Sequence, residues 1–138
     1  MVIKIMKKQL VFVIAMMLLI ISSAASSHEM VPTYPKISGS YVDGLQKTTM
    51  TMFNKRADVE YYEIGVFTED WKPIPFVSQY KVWKIPYLST VSFDIFIRDQ
   101  DAKIVTYICS QSKLKKDNKK RTAVSSRICS RVKKVGEE

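Results

Sequence analysis

Two cysteines and one histidine are the residue types best suited to covalent, redox or metal chemistry in this chain of 138 residues. Cys109 and Cys129 could form a disulfide, bind a metal as thiolates, or carry out a redox step. Two thiolates need further ligands to hold a metal, and His28 lies far from them, near the N-terminus. An isolated pair of cysteines in an oxidising compartment usually bridges. We therefore expect a Cys109–Cys129 disulfide, with a metal or redox site as the alternative.

The sequence offers little for catalysis. Glu63 and Asp94 have no histidine or serine partner that would suggest a catalytic set, and His28 is expected at a frayed end of the domain. There is no phosphate-binding glycine loop, nucleophile elbow or metal-ligand spacing. General acid–base chemistry therefore has few participants. We predict a protein that is not an enzyme and that needs neither a cofactor nor a metal.

The N-terminus predicts export. Lys4, Lys7 and Lys8 precede an apolar run over residues 10–21, and small serine and alanine residues follow. A positive start, a short apolar stretch and a small-residue cleavage site together form a secretory signal peptide. The apolar run is shorter than the roughly 20 residues that span a bilayer. We expect cleavage, with a membrane anchor as the alternative.

Cleavage is expected after Ala25, with Ser27 as the alternative last residue removed. Residues 1–25 would then be the signal peptide, and residues 26–138 one domain in the periplasm or outside the cell. No later segment is long and apolar enough to span a membrane. The full chain carries a net charge of +9, and the domain stays basic after the three N-terminal lysines are removed. A basic exported domain can meet anionic surfaces, acidic proteins or nucleic acid, and export makes nucleic acid the least expected of these partners.

The pattern of the mature chain is that of short β-strands. Residues 90–98 alternate strictly, with Val91, Phe93, Ile95 and Ile97 on one side, as expected for a half-buried strand. Further strands are predicted at the following ranges: 48–53, 61–67, 103–110 and 122–135. A turn is expected at residues 99–101. Turn signals recur along the chain, and no helix is expected after the signal peptide.

This pattern predicts an all-β fold. About seven short strands fit an immunoglobulin-like sandwich of two antiparallel sheets. A small closed barrel is the competing architecture.

The last predicted strand allows two interpretations. Val124, Ile128 and Val132 share one face and could be an inward core face or an apolar surface for a partner. Arg127 and Arg131 lie among these positions and could bind a carboxylate or protect an edge strand from unwanted pairing. The basic run over residues 113–121 could be a solvated loop or a contact for an anionic partner.

The order of elements resembles the N-terminal domain of periplasmic pilus chaperones, the PapD-like family. The likeness covers most of residues 37–135 through pattern more than through invariant motifs. The segments that carry it are Asp43-Gly44 with residues 48–54, residues 60–68 with Asp70-Trp71-Lys72-Pro73-Ile74, Lys84-Ile85-Pro86-Tyr87-Leu88 before residues 90–98, and Thr106-Tyr107-Ile108. The resemblance extends to the long-loop subclass, in which a disulfide joins the last two strands, as Cys109 and Cys129 would here.

The resemblance implies strand donation, in which the chaperone lends its last strand to a pilus subunit that lacks one. Val124, Ile128 and Val132 would then fill the subunit's groove. Family members have two domains and anchor the subunit's carboxylate with an arginine and a lysine. This chain is expected to have one domain. Gly39 lies near the arginine position, with Lys36 as the nearest cation, and Arg127 or Arg131 would stand at the lysine position.

The sequence therefore predicts a periplasmic, chaperone-like domain that binds a pilus or surface-assembly subunit by β-strand addition. One alternative is a structural or accessory subunit of a secretion, conjugation or pilus apparatus. Another is a small secreted inhibitor that acts through its basic loop.

Overall fold

The computed structural model describes residues 1–20, 27–113 and 125–134. A helix, α1, lies within the predicted export signal, and the described residues after it form eight strands and one short helix, α2. The elements are α1 (Val2–Ile20), β1 (His28–Val31), β2 (Ser38–Gly39), β3 (Leu45–Asn54), β4 (Tyr61–Phe67), β5 (Val82–Lys84), β6 (Thr90–Arg98), α2 (Asp99–Ala102), β7 (Tyr107–Lys113) and β8 (Arg127–Arg131).

The strands form two antiparallel sheets. In sheet A, β6 pairs with one side of β3, while β1 and β2 pair with the other side. In sheet B the order is β5-β4-β7-β8, which places β8 at an edge. The two sheets enclose one hydrophobic core, so the fold is an immunoglobulin-like sandwich and the prediction of this fold class is confirmed.

The core is built from the inward positions of the alternating strands. Tyr62, Ile64 and Val66 of β4 are buried, as are Phe93 and Ile95 of β6. Each strand places every second side chain on one face, so an alternating sequence supplies one apolar layer to the core. The predicted strands at residues 61–67 and 90–98 have these bounds in the structure.

The strand predicted at residues 103–110 lies further along the chain, because β7 runs from Tyr107 to Lys113. Its inward side chains include Ser110 and Ser112, whose buried hydroxyls make hydrogen bonds. A serine at an inward position hides the alternation that sequence reading depends on. The expected turn at residues 99–101 is the single-turn helix α2.

The chain crosses from sheet A to sheet B directly after β1. The Arg131 N–H donates to the Thr33 carbonyl at 3.0 Å, and the Lys133 N–H donates to the Pro35 carbonyl at 2.8 Å. Both partners advance in the same chain direction, so residues 33–35 lie parallel to the end of β8. We call residues 33–35 the crossover strap.

Candidate partner-binding site

The two cysteines join the last two strands. Cys109 of β7 stands opposite Cys129 of β8 in the register, and the two form a disulfide with their Cα atoms 4.1 Å apart. The predicted disulfide is therefore confirmed. It crosses the outer face of sheet B and fixes the position of the edge strand β8 relative to β7.

The backbone of β8 has one side paired and one side partly free. In an antiparallel ladder, directly opposed residues alternate between pairs that exchange backbone hydrogen bonds and pairs that do not, and the latter have the closer Cα atoms. The backbone N–H and C=O groups of successive residues therefore point to opposite sides of the strand. Because Cys129 belongs to such a close pair, the backbone groups of Ile128 and Ser130 point toward β7, and those of Arg127 and Cys129 point away. No described residue makes a backbone hydrogen bond to Arg127 or Cys129 on that outward side.

The crossover strap covers the C-terminal part of this edge. It accepts the outward N–H groups of Arg131 and Lys133, so these positions are already paired within the chain. The uncovered part consists of residues 125–129. We call residues 125–129 the open edge.

The apolar side chains of the last strand lie on the core side. Val132 is 5% exposed and belongs to the core, and Ile128 is partly buried against it. Val124 lies outside the described residues. In this structure the side chain of Val132 packs within the chain's own core, and among the described positions Ile128 is the apolar residue of the open edge.

The arginines of β8 point to the outer face of sheet B. Arg127 stacks on two aromatic rings, with its guanidinium carbon 4.9 Å from the centroid of Phe67 and 5.1 Å from that of Trp71. Trp71 in turn stacks on Tyr107, with centroids 4.2 Å apart and rings within 3° of parallel. Arg131 is exposed on the same face. We call Phe67, Trp71, Tyr107 and Arg127 the outer-face cluster.

A groove of about 550 Å³ lies beside this cluster. Gly65 of β4 lies in its floor, and a Cβ atom there would stand 2.7 Å from the ring of Phe67. Because glycine lacks that atom, the Phe67 ring lies over the β4 backbone. Arg127 and Lys81 are among the residues that line the groove.

The basic run over residues 113–121 is described only at its first residue. The ammonium of Lys113 pairs with the Glu63 carboxylate at 2.5 Å across β7 and β4. Residues 114–121 lie outside the described residues, so the basic-loop hypothesis remains a prediction. Lys36 and Gly39, near the predicted carboxylate anchor, are both exposed.

The expectation that His28 lies at a frayed end is wrong. Its side chain lies inside the sandwich, and the residue is 2% exposed. Its ring nitrogens lie 2.7 Å from the Ser110 hydroxyl and 3.2 Å from the Ser126 hydroxyl. Burial away from water lowers the pKa of His28 to about 4, with a further contribution from the nearby Arg56 charge. His28 therefore stays neutral at pH 7 and links β1 to the residues at the start of β8.

The His28–Ser110 pair has the distance of a base and a nucleophile. Ser110 has no exposed surface, however, so no substrate can reach its hydroxyl in this structure. The pair therefore acts in packing. Within the described ranges, no group of three or more histidine, cysteine, aspartate or glutamate residues could hold a metal ion.

Arg56 is a second buried group that sequence reading missed. Its guanidinium makes two hydrogen bonds to Asp58, at 2.6 and 2.9 Å, and one to Ser126 at 3.3 Å. The hydrogen bonds and charge of Arg56 hold the pKa of Asp58 below its ordinary value. The Ser126 N–H also donates to Ser112 at 2.9 Å. The residue before β8 is thus held by three neighbouring side chains, those of Arg56, Ser112 and His28.

Asn54 organises the other buried polar contacts. Its amide nitrogen donates to the carbonyls of Val59 and Ile85, and its amide oxygen accepts from the Arg56 N–H and the Tyr62 hydroxyl. Burial raises the pKa of Tyr62 to about 12, so its hydroxyl remains a donor. An asparagine at the end of a β-prone stretch was the available sequence signal, but its partners come from distant strands.

Among the described residues, no helix is both long and apolar enough to cross a membrane. The export signal and its cleavage remain predictions.

The arrangement is that of an immunoglobulin-like domain with a disulfide-braced edge strand, and solved structures share this fold. One is a Salmonella enterica structure of the SafA pilin in complex with the SafB chaperone (Type I), at a TM-score of 0.59 and 12% identity. Another is the E. coli chaperone DraB, at a TM-score of 0.58 and 17% identity. No protein-family model matches the sequence, and no curated protein matches it either.

These matches cover 80% and 78% of this chain but 55% and 53% of the matched chains. The chain thus spans about half the length of the chaperone structures it resembles. At such low identity the likeness shows the fold. The fold-level resemblance to pilus chaperones is therefore confirmed, and the long-loop subclass stays a prediction.

Proposed function

We propose that this chain is an exported, chaperone-like domain that binds a pilus or surface-assembly subunit by β-strand addition at the open edge. The observation that carries the proposal is the outward backbone of Arg127 and Cys129, which is unpaired among the described residues. The fold is shared with the SafB and DraB chaperones, and the first of those structures holds a pilin.

The open edge has the features that strand addition needs. Unpaired N–H and C=O groups on an edge strand are a template for another strand. The disulfide at Cys129 and the hydrogen bonds to Ser126 keep that template extended before a partner arrives. A preorganised strand loses less conformational entropy on binding than a flexible one.

Fewer apolar side chains of the last strand would contact the partner than the sequence suggested. Ile128 would be shared between this domain and the partner, while Val132 remains in the domain's own core. Val124 lies on the same face of the predicted strand as Ile128 and would extend the contact. Arg127 and Arg131 would lie next to the added strand on the outer face.

Export is the other part of the proposal. Cleavage after Ala25 leaves two residues before His28, where β1 begins. Cleavage after Ser27 would instead place the charged N-terminal amine on a residue that is 2% exposed, and burial of an unpaired charge is costly. N-terminal sequencing of the mature protein should therefore begin at Ser26, and a chain that keeps residues 1–25 would refute cleavage.

An Arg127→Pro variant tests strand addition, with Arg127→Val as its matched control. Both variants lose the guanidinium, but only proline loses the outward N–H, and the ladder bonds to β7 come from the neighbouring residues. Proline is tolerated on edge strands. Each variant would be expressed in the native host and checked for folding by circular dichroism and for the disulfide by mass spectrometry.

Partners would be captured by photo-crosslinking from position 125, which is exposed. We expect the valine variant to capture a subunit that lacks a strand. The crosslinking yield of the proline variant should be lower by a factor of about ten or more, because a missing backbone hydrogen bond also disturbs its neighbours. Equal capture by the two folded variants would refute strand addition at this edge.

One observation favours a second candidate, the structural or accessory subunit. The crossover strap already pairs with part of β8, and Val132 is buried, so the sandwich is largely self-complete. An accessory subunit would assemble through its faces and not through its edge. Capture that is unaffected by Arg127→Pro would support this alternative.

A further inference from the structure

The outer face of sheet B carries a surface that strand addition does not use. It is the groove beside the outer-face cluster, lined among others by Gly65, Phe67, Phe76, Lys81, Gln111 and Arg127. The backbone N–H and C=O groups of Arg127 point away from β7 in the plane of sheet B, where a strand would add. Its side chain instead lies on the outer face of the sheet, over Phe67 and Trp71. The groove is therefore separate from the edge.

The guanidinium of Arg127 is held in place but not neutralised. Phe67 and Trp71 contact it through their ring faces, and no described residue accepts a hydrogen bond from it or forms an ion pair with it. Stacking on aromatic faces leaves the N–H groups at the edge of the guanidinium available. Those groups match the two oxygens of a carboxylate.

The charges around the groove add to this preference. Lys81 is exposed and makes no ion pair among the described residues. The one carboxylate in the lining, Glu63, is neutralised by Lys113 at 2.5 Å. Among the described residues, nothing forms an ion pair with Lys81 or Arg127, so both present their positive charge to the groove.

The floor of the groove suits a peptide. The rings of Phe67 and Phe76 give it apolar surface, and the Gln111 amide offers both a donor and an acceptor. Its volume of about 550 Å³ is within the range of sites that hold small ligands or short peptide segments.

We propose that this groove binds a short acidic peptide segment of a protein partner. Arg127 receives one carboxylate in a forked, two-point contact, Lys81 receives a second, and the apolar floor contacts the side chains between them. The contact adds a charge-selective surface to the domain, and it does not depend on β8 adding to another sheet.

Nuclear magnetic resonance titration of the mature domain tests the proposal. The probe is an acetylated and amidated peptide of alternating glutamate and valine, and the control probe replaces glutamate by lysine. The reporters are the indole N–H of Trp71, whose ring stacks on Arg127, and the amide of Gly65, which lines the groove. We expect saturable shifts of both reporters with the glutamate peptide, weakened by raising the salt from about 0.05 M to about 0.5 M, because screening shortens the reach of the charges.

Three variants sharpen the test. Arg127→Gln and Lys81→Gln should each weaken binding about tenfold, because each removes one charged contact. Lys103→Gln makes the same change of charge outside the groove lining and should leave the affinity as it is. Absence of saturable shifts at Trp71 and Gly65, equal binding of the lysine peptide, or an equal loss in Lys103→Gln would each overturn the proposal.

Failure of this proposal is distinguishable from failure of strand addition. The peptide titration reads the outer face without a strand partner, whereas the Arg127→Pro and Arg127→Val pair reads the outward N–H in variants that both lack the guanidinium.

Discussion

His28 shows how a single buried side chain can set the acid stability of this fold. The histidine is neutral in the folded chain, with a pKa of about 4, against 6.5 in the unfolded chain. Burial is the main cause of this lowered pKa, and the nearby Arg56 charge lowers it further. Tyr62 packs against the histidine ring at 4.5 Å between centroids. The unfolded chain therefore binds a proton at a pH where the folded chain does not.

The sign of the pH dependence follows. Stability should fall as the pH drops from about 6.5 to about 4, by about 3 kcal/mol in total, and should lose no more through this group at lower pH. Urea unfolding at several pH values would measure the change. The His28→Gln variant should lack this part of the dependence, and an unchanged slope in that variant would contradict the assignment.

Asn54 is the residue whose replacement should cost most among the buried polar groups. Asn54→Ala leaves two carbonyls and two donors without their partner, and we expect a loss of at least about 3 kcal/mol in the free energy of unfolding. Tyr62→Phe removes one of these hydrogen bonds, while the Arg56 N–H still satisfies the Asn54 oxygen. It should cost about 1 kcal/mol.

Chemical denaturation of the two variants measures this difference. A loss from Tyr62→Phe as large as that from Asn54→Ala would contradict the central role of Asn54.

At the scale of elements, the disulfide is the feature that holds the edge strand. It closes a loop across a separation of 20 residues between β7 and β8. The paired replacement Cys109→Ala and Cys129→Ala should lower the free energy of unfolding by about 3 kcal/mol, because the unfolded chain regains the freedom of that loop.

Amide exchange should report where the loss falls. We expect the open edge to exchange faster in the variant, while β3 and β6, in the other sheet, change only with global stability. A uniform change across both sheets would mean that the bridge acts on the whole domain and not on the edge strand.

The strands that the sequence predicted with the right bounds are those in which apolar and polar residues alternate regularly. Strands β4 and β6 were predictable because each inward position is apolar, whereas β7 was placed too early because Ser110 and Ser112 occupy inward positions. Those serines are satisfied by His28 and by the Ser126 N–H, which come from distant parts of the chain. A single sequence shows no sign of such partners.

The candidate site was predictable in its covalent part and less so in its surfaces. The disulfide was predictable because the chain has two cysteines and is expected in an oxidising compartment. The outer-face cluster was not, because it depends on a hairpin that brings Trp71 over Tyr107. Trp71 has a φ angle of 63°, a left-handed conformation that sequence patterns rarely predict for tryptophan. The crossover strap was likewise invisible, because it is a tertiary pairing of residues 33–35 with β8.

At the scale of the whole molecule, the described strands form one sandwich, and the chain matches about half the length of each chaperone structure it resembles. Two surfaces of the same edge strand then carry the proposed interactions: the backbone of the open edge and the outer face around Arg127. The buried contacts of Ser126 and the disulfide at Cys129 fix both surfaces together, since they fix the strand that bears them.

The most direct test of strand addition is hydrogen exchange at four consecutive amides of β8, in the free domain and in the complex with the captured subunit. We predict that the amides of Ile128 and Ser130, which face β7, are protected in both states. Those of Arg127 and Cys129 should exchange rapidly in the free domain and become protected in the complex. If the amides of Arg127 and Cys129 exchange equally fast in both states, the partner does not add a strand at this edge.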